Sequence, residues 1–180
     1  RSTLFPYTTL FRSRSISVPK YGVPSGAKKK LPVLRLTPDF CGIEFRDNIR
    51  GVILPETLVQ LVGAKNGVAG VFSDYGRLEF VDMSACTKLK LIGASAFKNC
   101  TKLHNIFMPV IPANDSYIIH KGAFSGLPAV SDLNISAYEV LTNAFSDVDI
   151  YSLKFDAVKV GSTAFGKNTK VASTVTIGEI

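Results

Sequence analysis

Four times in the second half of this chain an aliphatic residue is followed, after three intervening residues, by Ala-Phe. The copies are Ile92-Gly-Ala-Ser-Ala96-Phe97, Ile119-His-Lys-Gly-Ala123-Phe124, Val140-Leu-Thr-Asn-Ala144-Phe145 and Val160-Gly-Ser-Thr-Ala164-Phe165. Their phenylalanines lie 27, 21 and 20 residues apart. A period of this size belongs to architectures in which one short unit recurs and each copy buries its apolar side against the next. Phenylalanines recurring by chance in an ordinary α/β domain would not carry matching neighbours, and these do.

A second apolar block follows each phrase. Leu103, Ile106 and Met108 come six, nine and eleven residues after Phe97, and Val130, Leu133 and Ile135 stand at the same offsets from Phe124. After Phe145 the block arrives one residue early, as Ile150, Leu153 and Phe155. Counting back, Phe72 precedes Leu78, Val81 and Met83 at the same offsets and makes a fifth, degenerate copy, although Gly67-Val-Ala-Gly-Val71 lacks the full phrase. After Phe165 the pattern loosens to Val171, Val175 and Ile177. In most blocks the last two apolar residues are separated by a polar one, Phe107 being the exception, which predicts a short strand with one buried face. Alanine lets neighbouring backbones approach, and the phenylalanine is expected to fill the interior against its counterpart in the next copy.

These residues resemble the BspA-type leucine-rich repeats, whose unit runs Cys-x-x-Leu-x-x-Ile-x-Leu-Pro and then Ile-Gly-x-x-Ala-Phe. Cys100-Thr-Lys-Leu103-His-Asn-Ile106-Phe-Met108-Pro109 follows that pattern nearly letter for letter, as does Val81-Asp-Met83-Ser-Ala-Cys86-Thr-Lys-Leu89 with Ile92-Gly-Ala-Ser-Ala-Phe97. Ile53-Leu54-Pro55 looks like the tail of an earlier copy. Later copies lose the Cys and the Pro, and an insertion falls near Ile111-Pro-Ala-Asn-Asp115. The resemblance covers residues 52–180. It implies a β-rich leucine-rich-repeat solenoid: short strands stacked coil on coil with little helix, about five coils over residues 51–180, open at the C-terminal end.

The N-terminal part reads differently. Residues 3–13, Thr-Leu-Phe-Pro-Tyr-Thr-Thr-Leu-Phe-Arg-Ser, resemble the translation of a common sequencing-library adapter, so residues 1–13 are read as an artefactual leader. The first methionine is Met83 and the chain stops inside a coil, at Val175-Thr-Ile177-Gly-Glu-Ile180; both point to a fragment, in which a missing export signal, span or anchor carries no information. Residues 14–50 are either a basic transition region or a degenerate first coil, with Val33-Leu-Arg-Leu36 and Cys41-Gly-Ile-Glu-Phe45 as its candidate strands.

The net charge of +7 invites a nucleic-acid or membrane reading, and its distribution argues against one. Residues 1–50 hold ten Lys or Arg against three acids, whereas residues 51–180 hold eleven of each. A repeat domain that tracked nucleic acid would need a basic stripe. Lys28-Lys-Lys30 is read as a solvated linker, so neither a nucleic-acid partner nor a membrane span is expected in this chain.

Catalytic and metal signatures are missing in turn. Cys41, Cys86 and Cys100 form no Cys-x-x-Cys pair, and Cys100 with His104 has no second pair to complete a zinc site. Cys86 and Cys100 each precede Thr-Lys-Leu, which predicts small buried residues at one repeated coil position; a disulfide between them in an oxidising compartment is the alternative. His104 and His120 have no partner constellation, and Asp147 and Asp149 are expected in a solvated turn after Phe145. No nucleophile elbow, P-loop or dinucleotide fingerprint occurs. No catalytic, metal or cofactor residue is assigned.

The strand blocks instead name a candidate ligand face. Residues alternating with the buried positions point outward: Phe80 and Asp82, Asn105 and Phe107, Asp132 and Asn134, Ser152 and Lys154. Phe80 and Phe107 are expected to be neighbours one coil apart, either as an aromatic binding anchor or as cover for an incomplete end. The leading expectation is a non-enzymatic binding or adhesion module of a cell-surface or secreted protein, whose partner is a protein or cell-surface macromolecule. The adhesive role follows from the family resemblance. The second is a targeting or spacer module of a larger enzyme whose catalytic domain lies outside this fragment.

Overall fold

The computed structural model describes residues 48–66, 68–111 and 116–172, with the backbones of three further strands at 15–17, 34–36 and 175–177. The candidate strand at Cys41–Phe45 lies outside the described residues. In chain order the strands are β1 (Ser15–Ser17), β2 (Leu34–Leu36), β3 (Gly51–Ile53), β4 (Leu58–Leu61), β5 (Phe80–Asp82) and β6 (Leu91–Ile92). There follow β7 (Asn105–Phe107), β8 (Ile118–Ile119), β9 (Val130–Val140), β10 (Asp149–Val160), β11 (Lys170–Val171) and β12 (Val175–Ile177). No helix occurs among the described residues, and so none long and apolar enough to cross a membrane.

Two sheets result, and every pairing in them is parallel. One runs β1-β3-β5-β7; the other runs β11-β10-β9-β8-β6-β4-β2, with β12 also on β10. A unit therefore consists of a strand in the first sheet, a corner, a strand in the second sheet and an Ala-Phe turn. In the last two full units the corner straightens, and both strands fuse into the 11-residue β9 and the 12-residue β10. The Ser131 N–H donates to His104 O just as His104 N–H donates to Glu79 O and Glu79 N–H to Arg50 O, so the start of β9 continues the first sheet. The end of β9 pairs with β8 and belongs to the second.

The loosened end of the sequence pattern keeps this register. Val171, Val175 and Ile177 lie opposite Ile150, Leu153 and Phe155 of β10. One extra residue enters between Val171 and Val175, and the pairing is split between two short strands.

The Ala-Phe turns stack as directly as the strands do. Phe72, Phe97, Phe124 and Phe145 are fully buried, with successive ring centroids 5.1 Å apart and nearly parallel. Phe165 extends the column at 5.6 Å and is only partly buried. The spacing matches the roughly 4.8 Å between paired strands, so one ring per unit fills the interior without a gap. Beside each ring the backbone is tied to the next unit: the N–H of Phe72, Phe97, Phe124 and Phe145 donates to the carbonyl of Ala96, Ala123, Ala144 and Ala164. Ala96, Ala123 and Ala144 are wholly buried, and a larger side chain there would push the turns apart.

In three of the turns, left-handed residues stand two before and two after the ring. Ser95 and Asn99 flank Phe97 at φ of 55° and 59°, Gly122 and Gly126 flank Phe124, and Asn143 and Asp147 flank Phe145. Asn, Asp and Gly tolerate this region, which explains the residue type at five of these six positions, Ser95 being the exception. Asp147 thus stands in the turn as expected, whereas Asp149 opens β10.

Two expectations are corrected. The copy at Phe72 does have its aliphatic partner: Leu61 lies opposite Ile92. An insertion holding the Lys65–Val68 bridge separates Leu61 from Phe72 and hides the phrase. Cys86 and Cys100 do not share one position. Cys86 turns the chain from β5 to β6, and Cys100 turns it from the Phe97 turn into β7. Both corners are built alike: the Cys86 S–H donates to Pro55 O at 3.3 Å and the Cys100 S–H to Phe72 O at 3.0 Å. Leu89 N–H and Leu103 N–H in turn donate to the carbonyls of their own cysteines. The same Cys-Thr-Lys-Leu corner serves both ends of the unit. Neither of the two is in a disulfide, and both are buried.

Tyr117, after the β7–β8 connection, is buried to 1% exposure and its hydroxyl has no hydrogen-bond partner among the described residues. Burial, then the nearby Cys86, pushes its phenol well above the usual range. An unsatisfied buried hydroxyl costs roughly 1–3 kcal/mol. Tyr117→Phe is accordingly expected to leave stability unchanged or raise it in denaturant unfolding. A loss above about 1 kcal/mol would show that the hydroxyl is satisfied in solution.

Candidate binding face

The outward residues of the first sheet fall into two rows. Gly51, Phe80 and Asn105 are register partners, as are Ile53, Asp82 and Phe107. The Ser131–His104 bond carries these rows on to Asp132 and Asn134, which lie opposite Ser152 and Lys154. Alternation dictates the arrangement: the residues between them, Val52, Val81, Ile106, Leu133 and Leu153, are all buried. All eight candidate residues thus lie on one surface. Phe107, Asp132, Asn134 and Lys154 are exposed; Phe80, Asp82, Asn105 and Ser152 are half-buried.

Phe80 is opposite Asn105, and Phe107 is opposite Asp82, so the rings are diagonal neighbours on adjacent strands. Phe80 lies back over Gly51, where an added Cβ would come within 2.1 Å of its ring. Phe107 is 53% exposed, and Ile53, at the other end of its row, is 40% exposed. Asp82 therefore sits between two apolar side chains in its row and beside a third in its own strand. Its Oδ1 accepts from the Ser84 N–H at 2.9 Å and from the Ser84 hydroxyl at 2.6 Å, which fixes the carboxylate. Burial, and then the charge of Asp82, pushes the Cys86 thiol up to about 12, so it stays protonated and unreactive at neutral pH.

A second surface escaped the sequence reading. Gln60, Leu91, Ile118, Glu139 and Lys159 form a register row on the outside of the second sheet. There Lys159 Nζ stands 5.1 Å from the centroid of the Tyr138 ring, and hydrogen bonding with Tyr138 raises its pKa. The aliphatic residue opening each phrase could have announced this sheet, because Leu58-x-x-Leu61, Leu89-x-x-Ile92 and Ala137-x-x-Val140 repeat the spacing of the first-sheet block. A shallow polar groove also follows the Ala-Phe turns, lined by Ser95, Lys98, Asn99, Lys121 and Asp147. Its carboxylates and amides are engaged between units: Asn99 Nδ2 donates to Asp74 Oδ1 at 3.0 Å and Asn168 Nδ2 to Asp147 Oδ1 at 2.6 Å.

The two histidines lie apart. His104 precedes β7 with Nδ1 2.7 Å from Lys102 O, and His120 follows β8 with its N–H bonded to Ile92 O. Among the described residues no three His, Cys, Asp or Glu side chains gather as a metal site would require. No protein-family model, curated protein or solved structure matches the chain.

Proposed function

We propose that this chain is a BspA-type leucine-rich-repeat solenoid serving as a non-enzymatic binding module of a cell-surface or secreted protein. It holds protein or other macromolecular ligands on the outer face of its first sheet. The observation that carries the reading is the pair of register rows Phe80–Asn105–Asp132–Ser152 and Asp82–Phe107–Asn134–Lys154, with a phenyl ring left exposed at their centre. Parallel strands fix these side chains on a rigid scaffold, and a rigid face rich in aromatic and polar groups binds with little ordering cost. The repeated units, the column of phenylalanines and the Cys-Thr-Lys-Leu corners support the repeat class.

Surface plasmon resonance with the immobilised chain and a panel of purified serum and extracellular-matrix proteins tests this reading. Saturable binding is expected for at least one of them. It should be abolished by combining Phe107→Ser with Asn134→Lys and retained with Glu139→Lys on the second sheet. Equal losses from both faces, or no binding across the panel, would overturn the proposal.

A further inference from the structure

Phe107 is exposed between two carboxylates. Asp82 is its register partner on β5, about 4.8 Å away by strand spacing, and Asp132 is its diagonal neighbour on β9. Neither carboxylate meets a cation among the described residues. The ion pair found there joins Arg50 to Glu79, one position before the Phe80 row, and so neutralises that arginine. Lys154 is two strands beyond Phe107. The surroundings of the ring are therefore acidic, even though residues 51–180 balance in charge.

We propose that this patch is the anchor of the binding face and takes an arginine side chain from an extended segment of the partner polypeptide. The inference rests on the binding-face reading above and adds the chemistry that the face selects. A guanidinium is planar and weakly hydrated; it stacks on an aromatic ring while donating in its own plane to carboxylates. Phe107 offers the ring. Asp82 and Asp132 offer acceptors on its two sides, and Asp82 is preset because Ser84 occupies only its Oδ1. Ile53 and Phe80 flank the carboxylate with apolar surface suited to the aliphatic stem. A lysine would keep the charge attraction and lose the planar donors. A negatively charged partner would be repelled.

The test is a titration of the isotope-labelled full chain, followed by NMR, with acetyl-Gly-Arg-Gly-amide and with the same peptide carrying citrulline, the neutral isostere of arginine. The arginine peptide should shift the resonances of Asp82, Phe107 and Asp132 and bind about tenfold more tightly than the citrulline peptide. Asp82→Asn keeps an acceptor for Ser84 and should remove most of that preference. Phe107→Leu keeps apolar area without a ring and should weaken arginine binding several-fold. Equal binding of the two peptides, no effect of Asp82→Asn, or no response to either peptide would overturn the inference. If such a result is joined to loss of macromolecular capture in the Phe107→Ser, Asn134→Lys chain, the arginine anchor falls and the binding face stands.

Discussion

Phe124→Ala should be strongly destabilising, at about 3–5 kcal/mol. The ring is fully buried and lies 5.1 Å from both Phe97 and Phe145, so removing it opens a cavity bounded on two sides by other rings. The turn cannot collapse into that space. Phe124 N–H is held to Ala144 O, and Phe97 N–H to Ala123 O, so the backbones on both sides keep their spacing. Against a total stability of roughly 5–15 kcal/mol, the loss is large. For a chain of this size it corresponds to a melting temperature lower by roughly 6–20 °C. Phe165→Ala, at the partly exposed end of the column, should cost much less in the same denaturant series. Equal losses, or a loss at Phe124 below about 1 kcal/mol, would show that the column does not carry the stability.

Gly93→Ala should be nearly as harmful, although it adds only a methyl group. The new Cβ would stand 2.1 Å from Gly63 N and 2.5 Å from Gly63 Cα, and the same change at Gly63 would meet Ala94 N at 2.0 Å. Here the atoms in the way are backbone. They are fixed by the bond from Gly93 N–H to Leu61 O and by Ala64 N–H to Ala94 O. Overpacking of this kind costs about 1–3 kcal/mol or more. Gly76→Ala is the contrast, since its Cβ would have its nearest contact at 3.8 Å, and it should be neutral or slightly stabilising. A chain that tolerates Gly93→Ala as well as Gly76→Ala would contradict the close approach of the two turns.

The repeat was legible because its two signals are covalently spaced. Ala-Phe and the strand block keep nearly constant offsets, and those offsets gave the register that pairs Ile150 with Val171 and Phe155 with Ile177. Signals interrupted in the chain were not legible. Leu61 and Phe72 are eleven residues apart where Ile92 and Phe97 are five apart, and only the pairing of Leu61 with Ile92 identifies them as one unit. The two Cys-Thr-Lys-Leu corners share a spelling yet turn the chain in different places. The spelling specifies the local hydrogen bonds, while position in the unit comes from what precedes it. The outward direction of the eight candidate residues followed from strand alternation. The diagonal placement of Phe80 and Phe107 follows from the same offsets, which set Phe80 beside Asn105 and Asp82 beside Phe107.

Sequence by itself determined the unit: its length, its buried residues and its recurrent turn, since apolar spacing and the tolerance of Asn, Asp and Gly for left-handed backbone are local properties. Tertiary structure alone decided how units meet. It placed Leu91 and Ile118 on a second sheet and laid Phe80 over Gly51. It also left Phe107 exposed between Asp82 and Asp132, because those arrangements are set by hydrogen bonds and contacts between residues 25 or more positions apart.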